Sequence, residues 1–240
     1  MIKKNRLKKV LFMFQKYFYF LFVKNKNDKI LKYRIKRNLK KEINKIDRQC
    51  FEALNSFFYD LEKLSLVLKK DLYKYIENDP ACKDIQEVIL MYPGFFCTMS
   101  YRIANYFNKK CVPVIPRFIS EIAHSITGID IHPGATIDEG LFIDHGTGTV
   151  IGETAEIGKN FKIYQGVTIG AKYINNGLKG IKRHPTIKDN VTVYANAVIL
   201  GGNTVIGNNV IIGCCAVVTH SVDDNLCVVK KEGTLEDKIQ

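Results

Sequence analysis

None of the seven cysteines (Cys50, Cys82, Cys97, Cys111, Cys214, Cys215 and Cys227) forms a CxxC pair, and none stands at metal-ligand spacing from a histidine. Nor do they make the even framework of a small secreted domain. Reduced thiols are therefore expected, which fits a cytoplasmic protein, and no metal site is indicated. A long apolar run is also missing. Val10–Val23 is apolar and aromatic behind a basic start, but Gln15 and Lys16 interrupt it and no small-residue cleavage site follows. It is too short to span a bilayer. Three readings stay open for it: an amphipathic or poorly ordered arm, a surface contact with a membrane through Lys and Phe/Tyr, and a leader.

Acidic residues are scarce at one end only. Residues 1–48 hold 17 Lys/Arg against Asp28, Glu42 and Asp47, whereas the other 192 residues carry 19 Lys/Arg and 21 acids. The overall charge of +12 thus belongs to an N-terminal arm. No basic face able to track phosphates is indicated on the body, so a nucleic-acid partner is not expected. Membrane contact by residues 1–48 stays open, and the arm is expected to be dispensable for chemistry.

What is present begins with helices. From Asp47 to about Tyr75 apolar residues recur at helical spacing, and the run stops near Asn78-Asp79-Pro80. Further helical patterns cover about 84–91, 100–108 and 116–125, the last ended by Gly128. Beyond this the period changes. A branched apolar residue appears every six positions: Ile131, Ile137 and Ile143, then Ile151, Ile157, Ile163 and Ile169, then Ile187, Val193, Ile199, Val205, Ile211 and Val217. Neither the helical period nor the strand period of two explains this. A solenoid does, with three short strands per triangular turn and one inward aliphatic per side. Gly and Asn at Gly152, Gly158, Gly166, Asn190, Asn196, Gly207 and Gly213 would serve its corners. The expected fold is α+β: a basic arm at 1–46, a helical domain at 47–128, a left-handed parallel β-helix at 129–220 and a tail at 221–240.

The repeat breaks twice. Ile143 to Ile151 is eight residues, so Asp144-His145-Gly146-Thr147-Gly148 must bulge from the wall. Residues 171–185 have no repeat and read as a loop leaving the solenoid. Packing gives no reason for either break, and loops on a rigid scaffold commonly carry binding and catalytic groups. Three of the five histidines lie at or beside the breaks: His132, His145 and His184. Acyl transfer to an alcohol needs a general base, a task for which histidine is well poised. Asp130 is a candidate to orient His145, being 15 residues away and near one turn once the bulge is allowed for. His132, before Pro133, reads as a corner residue.

From Asp79 to about Val218 the chain resembles the serine acetyltransferases. The resemblance rests on DPA (79–81), GF (94–95), SYRIANYF (100–107), DIHPGATID (130–138), DHGTGTVIGETAEIG (144–158), QGVTIG (165–170) and RHP (183–185). It implies acetyl transfer from acetyl-CoA to L-serine. His145 would act as general base oriented by Asp130, with Asp144, Asp79, Arg183 and His184 holding serine. It implies pantetheine near Ala171 and Ala195, and a homo-oligomer, either a trimer or a dimer of trimers. Free cysteine should then compete with serine, since the two share ammonium, carboxylate and β-carbon.

Three departures accompany the resemblance, the first being a loop before Arg183 (171–182) several residues longer than in the family's best-known form. VVKKEG (228–233) replaces a small-residue and proline motif, and the chain's last residues, Asp237-Lys238-Ile239-Gln240, do not end in isoleucine. Docking into cysteine synthase is therefore not expected. The competing readings are a hexapeptide-repeat acyltransferase acting on a sugar or antibiotic hydroxyl, a zinc-dependent carbonic anhydrase using His132, His145 and His184, and a non-catalytic basic scaffold.

Overall fold

The computed structural model describes residues 3–45, 50–173, 177 and 180–230. The boundary drawn at 46/47, the middle of the 171–182 loop, the end of the 228–233 segment and the final residues 237–240 lie outside them. Among the described residues six α-helices come first: α1 (Lys4–Val23), α2 (Lys29–Ile43), α3 (Phe51–Asn78), α4 (Ile85–Met91), α5 (Pro93–Lys109) and α6 (Ile115–Thr127). Several of their ends have a local cause. Asp28 caps α2 by accepting from the Leu31 N–H, Asp84 caps α4 by accepting from the Glu87 N–H, and Pro stands in the first turn of α5 and α6. Gly128 closes α6 in the left-handed region, φ 72°.

The N-terminal segment is not a detached arm. Leu7, Val10, Leu11, Phe14 and Phe18 of α1 and Ile35, Leu39 and Ile43 of α2 are buried in the same apolar cluster as Phe57, Leu61 and Phe107. Within Val10–Val23 the residues Val10, Leu11, Phe14, Tyr17 and Phe18 make the buried helical face while Phe12 is exposed, and the interrupting Gln15 donates from its Nε2 to the Ile89 carbonyl at 2.8 Å. Glu42 is fully buried between α1 and α2. It accepts from the Lys3 N–H, Arg6 and Lys45, and these bonds outweigh the desolvation of burial and hold its carboxyl below the usual range.

Among the described residues fourteen strands of two or three residues then build three parallel faces of a left-handed β-helix. One face stacks β1 (Asp130–Ile131), β4 (Val150–Ile151), β7 (Thr168–Gly170), β10 (Val198–Leu200) and β13 (Val217–Val218). The second stacks β2 (Thr136–Ile137), β5 (Glu156–Ile157), β8 (Thr186–Ile187) and β11 (Val205–Ile206). The third stacks β3 (Phe142–Ile143), β6 (Lys162–Ile163), β9 (Thr192–Val193), β12 (Ile211–Ile212) and β14 (Cys227–Val228). On the first face Val150 pairs with Thr168, 18 positions on, which is three sides of six. Asp130 pairs with Val150, a spacing of 20 that absorbs the Asp144–Gly148 bulge, and Thr168 pairs with Val198, a spacing of 30 that absorbs the loop.

One part of the repeat differs from the sequence register. Val198 pairs with Val217, a spacing of 19, so the corner 201–204 holds one extra residue. The inward residues after it are Ile206, Ile212 and Val218, each 0 % exposed, while Val205, Ile211 and Val217 face outward. A one-residue slip exchanges the two sides of a strand.

The helical domain is fastened to the first rung by buried polar groups. Arg102 of α5 makes a two-pronged ion pair with Asp71 of α3, both bonds at 2.9 Å, and also donates to the carbonyls of Ile137 and Asp138. Asp71 in turn accepts from the N–H groups of Gly140 and Leu141. Tyr101 donates to the Ala135 carbonyl at 2.7 Å. The SYRIANYF segment is thus the junction between helices and solenoid. Gly94 is required at that junction, because a Cβ there would stand 2.3 Å from the Ile143 carbonyl oxygen.

Candidate active site

The two breaks in the repeat put their functional side chains at two different corners, at opposite ends of the β1–β4–β7–β10–β13 face. At the corner entering that face, after β3, His145 leaves the wall on a left-handed backbone, φ 54°, followed by Gly146 and Gly148, also at positive φ. A non-glycine residue held there is strained, as is common where a side chain must be presented. The imidazole is 70 % exposed, and its Nε2 stands 3.9 Å from the Asp144 carboxylate. The helical domain reaches this corner through Asp79 at the end of α3, whose carboxylate accepts from the Tyr92 hydroxyl at 2.6 Å and from the Ala81 N–H at 2.8 Å. The bond to Asp79, reinforced by burial, raises the Tyr92 phenol. Tyr164 links the two carboxylates: burial and then Asp144, Tyr194 and Asp79 raise its phenol, and its ring stacks on Tyr194 at 5.1 Å.

At the corner leaving the face, successive rungs stack His132, then Glu153 and Thr154, then Arg183 and His184. Arg183 is ion-paired with Glu153, whose carboxyl this bond holds low. His184 is 8 % exposed, and its ring lies flat over Gly152, where a Cβ would meet Cδ2 and Nε2 at 2.1 Å. The Thr154 backbone N–H donates to His184 Nδ1 at 3.1 Å. Nδ1 is therefore the bare nitrogen, and the ring hydrogen sits on Nε2. Thr154 Oγ1 lies 2.8 Å from Nδ1 and accepts from the N–H groups of Arg183 and His184. Burial first, then the neighbouring Arg183, pushes the His184 pKa down to about 4, so the ring is a neutral donor near pH 7. His132 is a corner residue, its Nδ1 accepting from Gly134 N–H at 3.0 Å, and burial followed by Arg117 lowers its pKa.

The sequence candidates are therefore brought together in two groups. Asp79, Asp144 and His145 share one corner; Arg183 and His184 share the other. Asp130 opens the first rung of the face and pairs with Val150, five residues beyond His145 on the next rung. Among the described residues no hydrogen bond or ion pair joins it to His145. Ala171 follows β7 at the His184 corner, beside a cavity of about 320 Å³ lined by Lys172, Tyr173, Lys182, Arg183, Gly201 and Gly202. Ala195 is at the His145 corner, its carbonyl accepting from Cys215 N–H at 2.9 Å. His132, His145 and His184 do not converge within one chain, and no group of three or more metal-ligating side chains is found among the described residues. Sequence reasoning did not single out Tyr92, Glu153, Thr154 or Tyr164. Glu153 and Thr154 lie in the GET segment, and their partners are 30 positions on, an offset readable only once the loop length is known.

A triangular parallel solenoid with a histidine–carboxylate corner and a neutral, buttressed histidine at the next defines a left-handed β-helix protein of the hexapeptide-repeat class. No model of a known protein family matches the chain. It is 48 % identical over 130 residues to serine acetyltransferase of Helicobacter pylori, covering 54 % of this chain and 74 % of the relative. Serine acetyltransferase isoform 3 of Entamoeba histolytica, solved in complex with cysteine, superposes with TM-score 0.82 and 32 % identity over 99 % of this chain and 83 % of that one. The Neisseria gonorrhoeae serine acetyltransferase, solved with serine, superposes with TM-score 0.68 and 35 % identity over 76 % and 73 %. The chain spans about half the length of other curated relatives that it matches. It belongs to the serine acetyltransferase family.

Proposed function

We propose that this chain is a serine O-acetyltransferase, converting acetyl-CoA and L-serine to O-acetyl-L-serine and CoA for cysteine synthesis in the cytoplasm. The observation that carries this reading is His145, raised from the wall on a left-handed backbone beside Asp144 at the corner the helical domain reaches with Asp79. His145 takes the serine Oγ proton as Oγ attacks the thioester carbonyl. The tetrahedral intermediate collapses with cleavage of the C–S bond, and the imidazolium returns the proton to the CoA thiolate. Asp130, one rung below, orients the ring once substrate tightens the site.

Asp144 and Asp79 supply charge for the serine ammonium; Arg183 and the Nε2–H of His184 supply cation and donor for its carboxylate. Because these two groups occupy opposite ends of one face, a complete site takes one corner from each of two adjacent copies. This supports a homo-oligomer, a trimer or a dimer of trimers. The lysine-lined cavity beside Ala171 suits the CoA phosphates, with pantetheine running between solenoids toward Ala195.

Release of CoA from acetyl-CoA, measured with and without L-serine, tests the reading. Serine-dependent release is expected, and His145→Ala should lower it about 10²–10⁴-fold, with Asp130→Asn milder. Near-normal turnover in His145→Ala, or equal rates with a sugar or antibiotic hydroxyl, would overturn it. Cysteine should inhibit in competition with serine, as its complex with the Entamoeba relative suggests. Inhibition that excess serine fails to relieve would mean that the two amino acids do not share these contacts.

A further inference from the structure

The positive charge of this protein is concentrated on two helices that the proposed chemistry does not use. Residues 3–45 carry 16 Lys/Arg and two carboxylates. Both carboxylates are already engaged: Glu42 is buried among Lys3, Arg6 and Lys45, and Asp28 caps α2. Nothing anionic on α1 or α2 is left to balance the outer face.

Helical geometry arranges that face. The buried side of α2 is Leu31, Ile35, Leu39 and Glu42. Ile30, Arg34, Arg37 and Lys41 follow at intervals of four, three and four on the opposite side, with Tyr33 flanking them. All five are exposed, Ile30 by 69 % and Tyr33 by 64 %. The stripe is thus apolar at the turn between α1 and α2, where Lys24, Lys26 and Lys29 surround it, and basic along the rest of its length.

We propose that this face docks on an anionic lipid surface, with Ile30 and Tyr33 entering the interface and Arg34, Arg37, Lys41 and the turn lysines lying against lipid headgroups. A second copy of the same face is repelled by its own charge. A nucleic acid is disfavoured on two counts. Phosphate is commonly seated at the N–H groups of a helix N-terminus, but the Asp28 carboxylate occupies that end of α2. The stripe also exposes the apolar Ile30 and the aromatic Tyr33, which is of use to a lipid interface and not to a phosphate backbone. The contact is peripheral: among the described residues no helix is long and apolar enough to cross a membrane. Each basic residue near an anionic leaflet strengthens binding on the order of fivefold, and the effect fades within a Debye length.

Sedimentation of the full chain with extruded vesicles of phosphatidylcholine alone, and of phosphatidylcholine mixed with phosphatidylglycerol, tests the proposal. Binding is expected only to the mixed vesicles and should weaken as salt is raised. The triple variant Arg34→Gln, Arg37→Gln, Lys41→Gln should lower it on the order of a hundredfold. Ile30→Ser with Tyr33→Ser should weaken it severalfold at unchanged charge. Far-ultraviolet circular dichroism checks that the variants stay folded, and the positions chosen are exposed. Equal binding to neutral vesicles, no binding to the mixed ones, or indifference to either set of substitutions overturns it. So does tighter binding to a short DNA duplex, followed by fluorescence anisotropy, than to the mixed vesicles.

Discussion

At the scale of single residues, Thr154 decides what His184 is. Its backbone N–H fixes the bare nitrogen of the ring, and its hydroxyl both approaches that nitrogen and gathers the two N–H groups that set the Arg183–His184 backbone. Thr154→Val keeps the shape and the backbone donor but removes the hydroxyl. Loss of a hydrogen bond worth about 1 kcal/mol should raise the KM for serine by up to roughly tenfold with kcat little changed. Nitrogen NMR of the histidine rings should show His184 keeping its Nε2–H tautomer, because the backbone donor remains, with the Nδ1 resonance shifted by loss of the hydroxyl. An unaltered spectrum would remove Thr154 from this role.

The depressed pKa also has a stability consequence. The unfolded chain takes up a proton near pH 6.5, whereas the folded His184 does so only near about 4. The contribution, at most about 3 kcal/mol, is fully present above pH ~6.5 and is lost as pH falls from there toward 4. The fall in Tm between pH 7 and pH 5 should therefore be smaller in His184→Asn than in the parent protein. Equal falls would contradict the shift.

Among the elements, the joint between α3, α5 and the first rung concentrates buried charge. Arg102→Met leaves Asp71 buried with the two N–H groups of Gly140 and Leu141 but without its cation. Breaking such a pair costs about 3–5 kcal/mol. Denaturant unfolding should show a loss of that size, and a loss below about 1 kcal/mol would mean the pair is dispensable. The element boundaries were legible where chemistry marks them, as at Gly128 after α6 and Pro80 after α3. The inward aliphatics were legible as far as Ile199. Past the corner 201–204 they were not, because Val205-Ile206, Ile211-Ile212 and Val217-Val218 are apolar at both positions, so the sequence pattern is the same in either register. His145 and His184 stood out because packing gave no reason for the breaks beside them. The partners of His184 are contributed by a rung whose distance along the chain depends on the loop.

For the whole molecule, α1 and α2 form part of the helical core, although their charge made them read as a removable arm. The misreading has a physical cause: Lys4, Arg6, Lys8 and Lys9 crowd the start of α1 and Lys16 interrupts its apolar run, so the charge masks the buried face of Leu7, Val10, Leu11, Phe14 and Phe18. A chain starting near Asn44 would uncover Phe57, Leu61 and Phe107. Such a truncation should aggregate or lose its cooperative unfolding, monitored by gel filtration and circular dichroism. A soluble, cooperatively folded fragment would show that the helical domain closes without them.

The 171–185 excursion departs from Gly170 and returns at Thr186, and both ends are held by the wall: the Gly170 carbonyl accepts from Gly201 N–H at 3.1 Å and the Pro185 carbonyl from Glu156 N–H at 3.2 Å. Its length is therefore decoupled from the stacking of the rungs. For a flexible loop, doubling the number of residues costs only about 0.6 kcal/mol, far less than one lost junction. Insertions and deletions at this point are nearly neutral for folding while they remodel the ground beside Arg183 and His184, so if the proposed roles of these two residues hold, substrate preference can drift without the scaffold having to change.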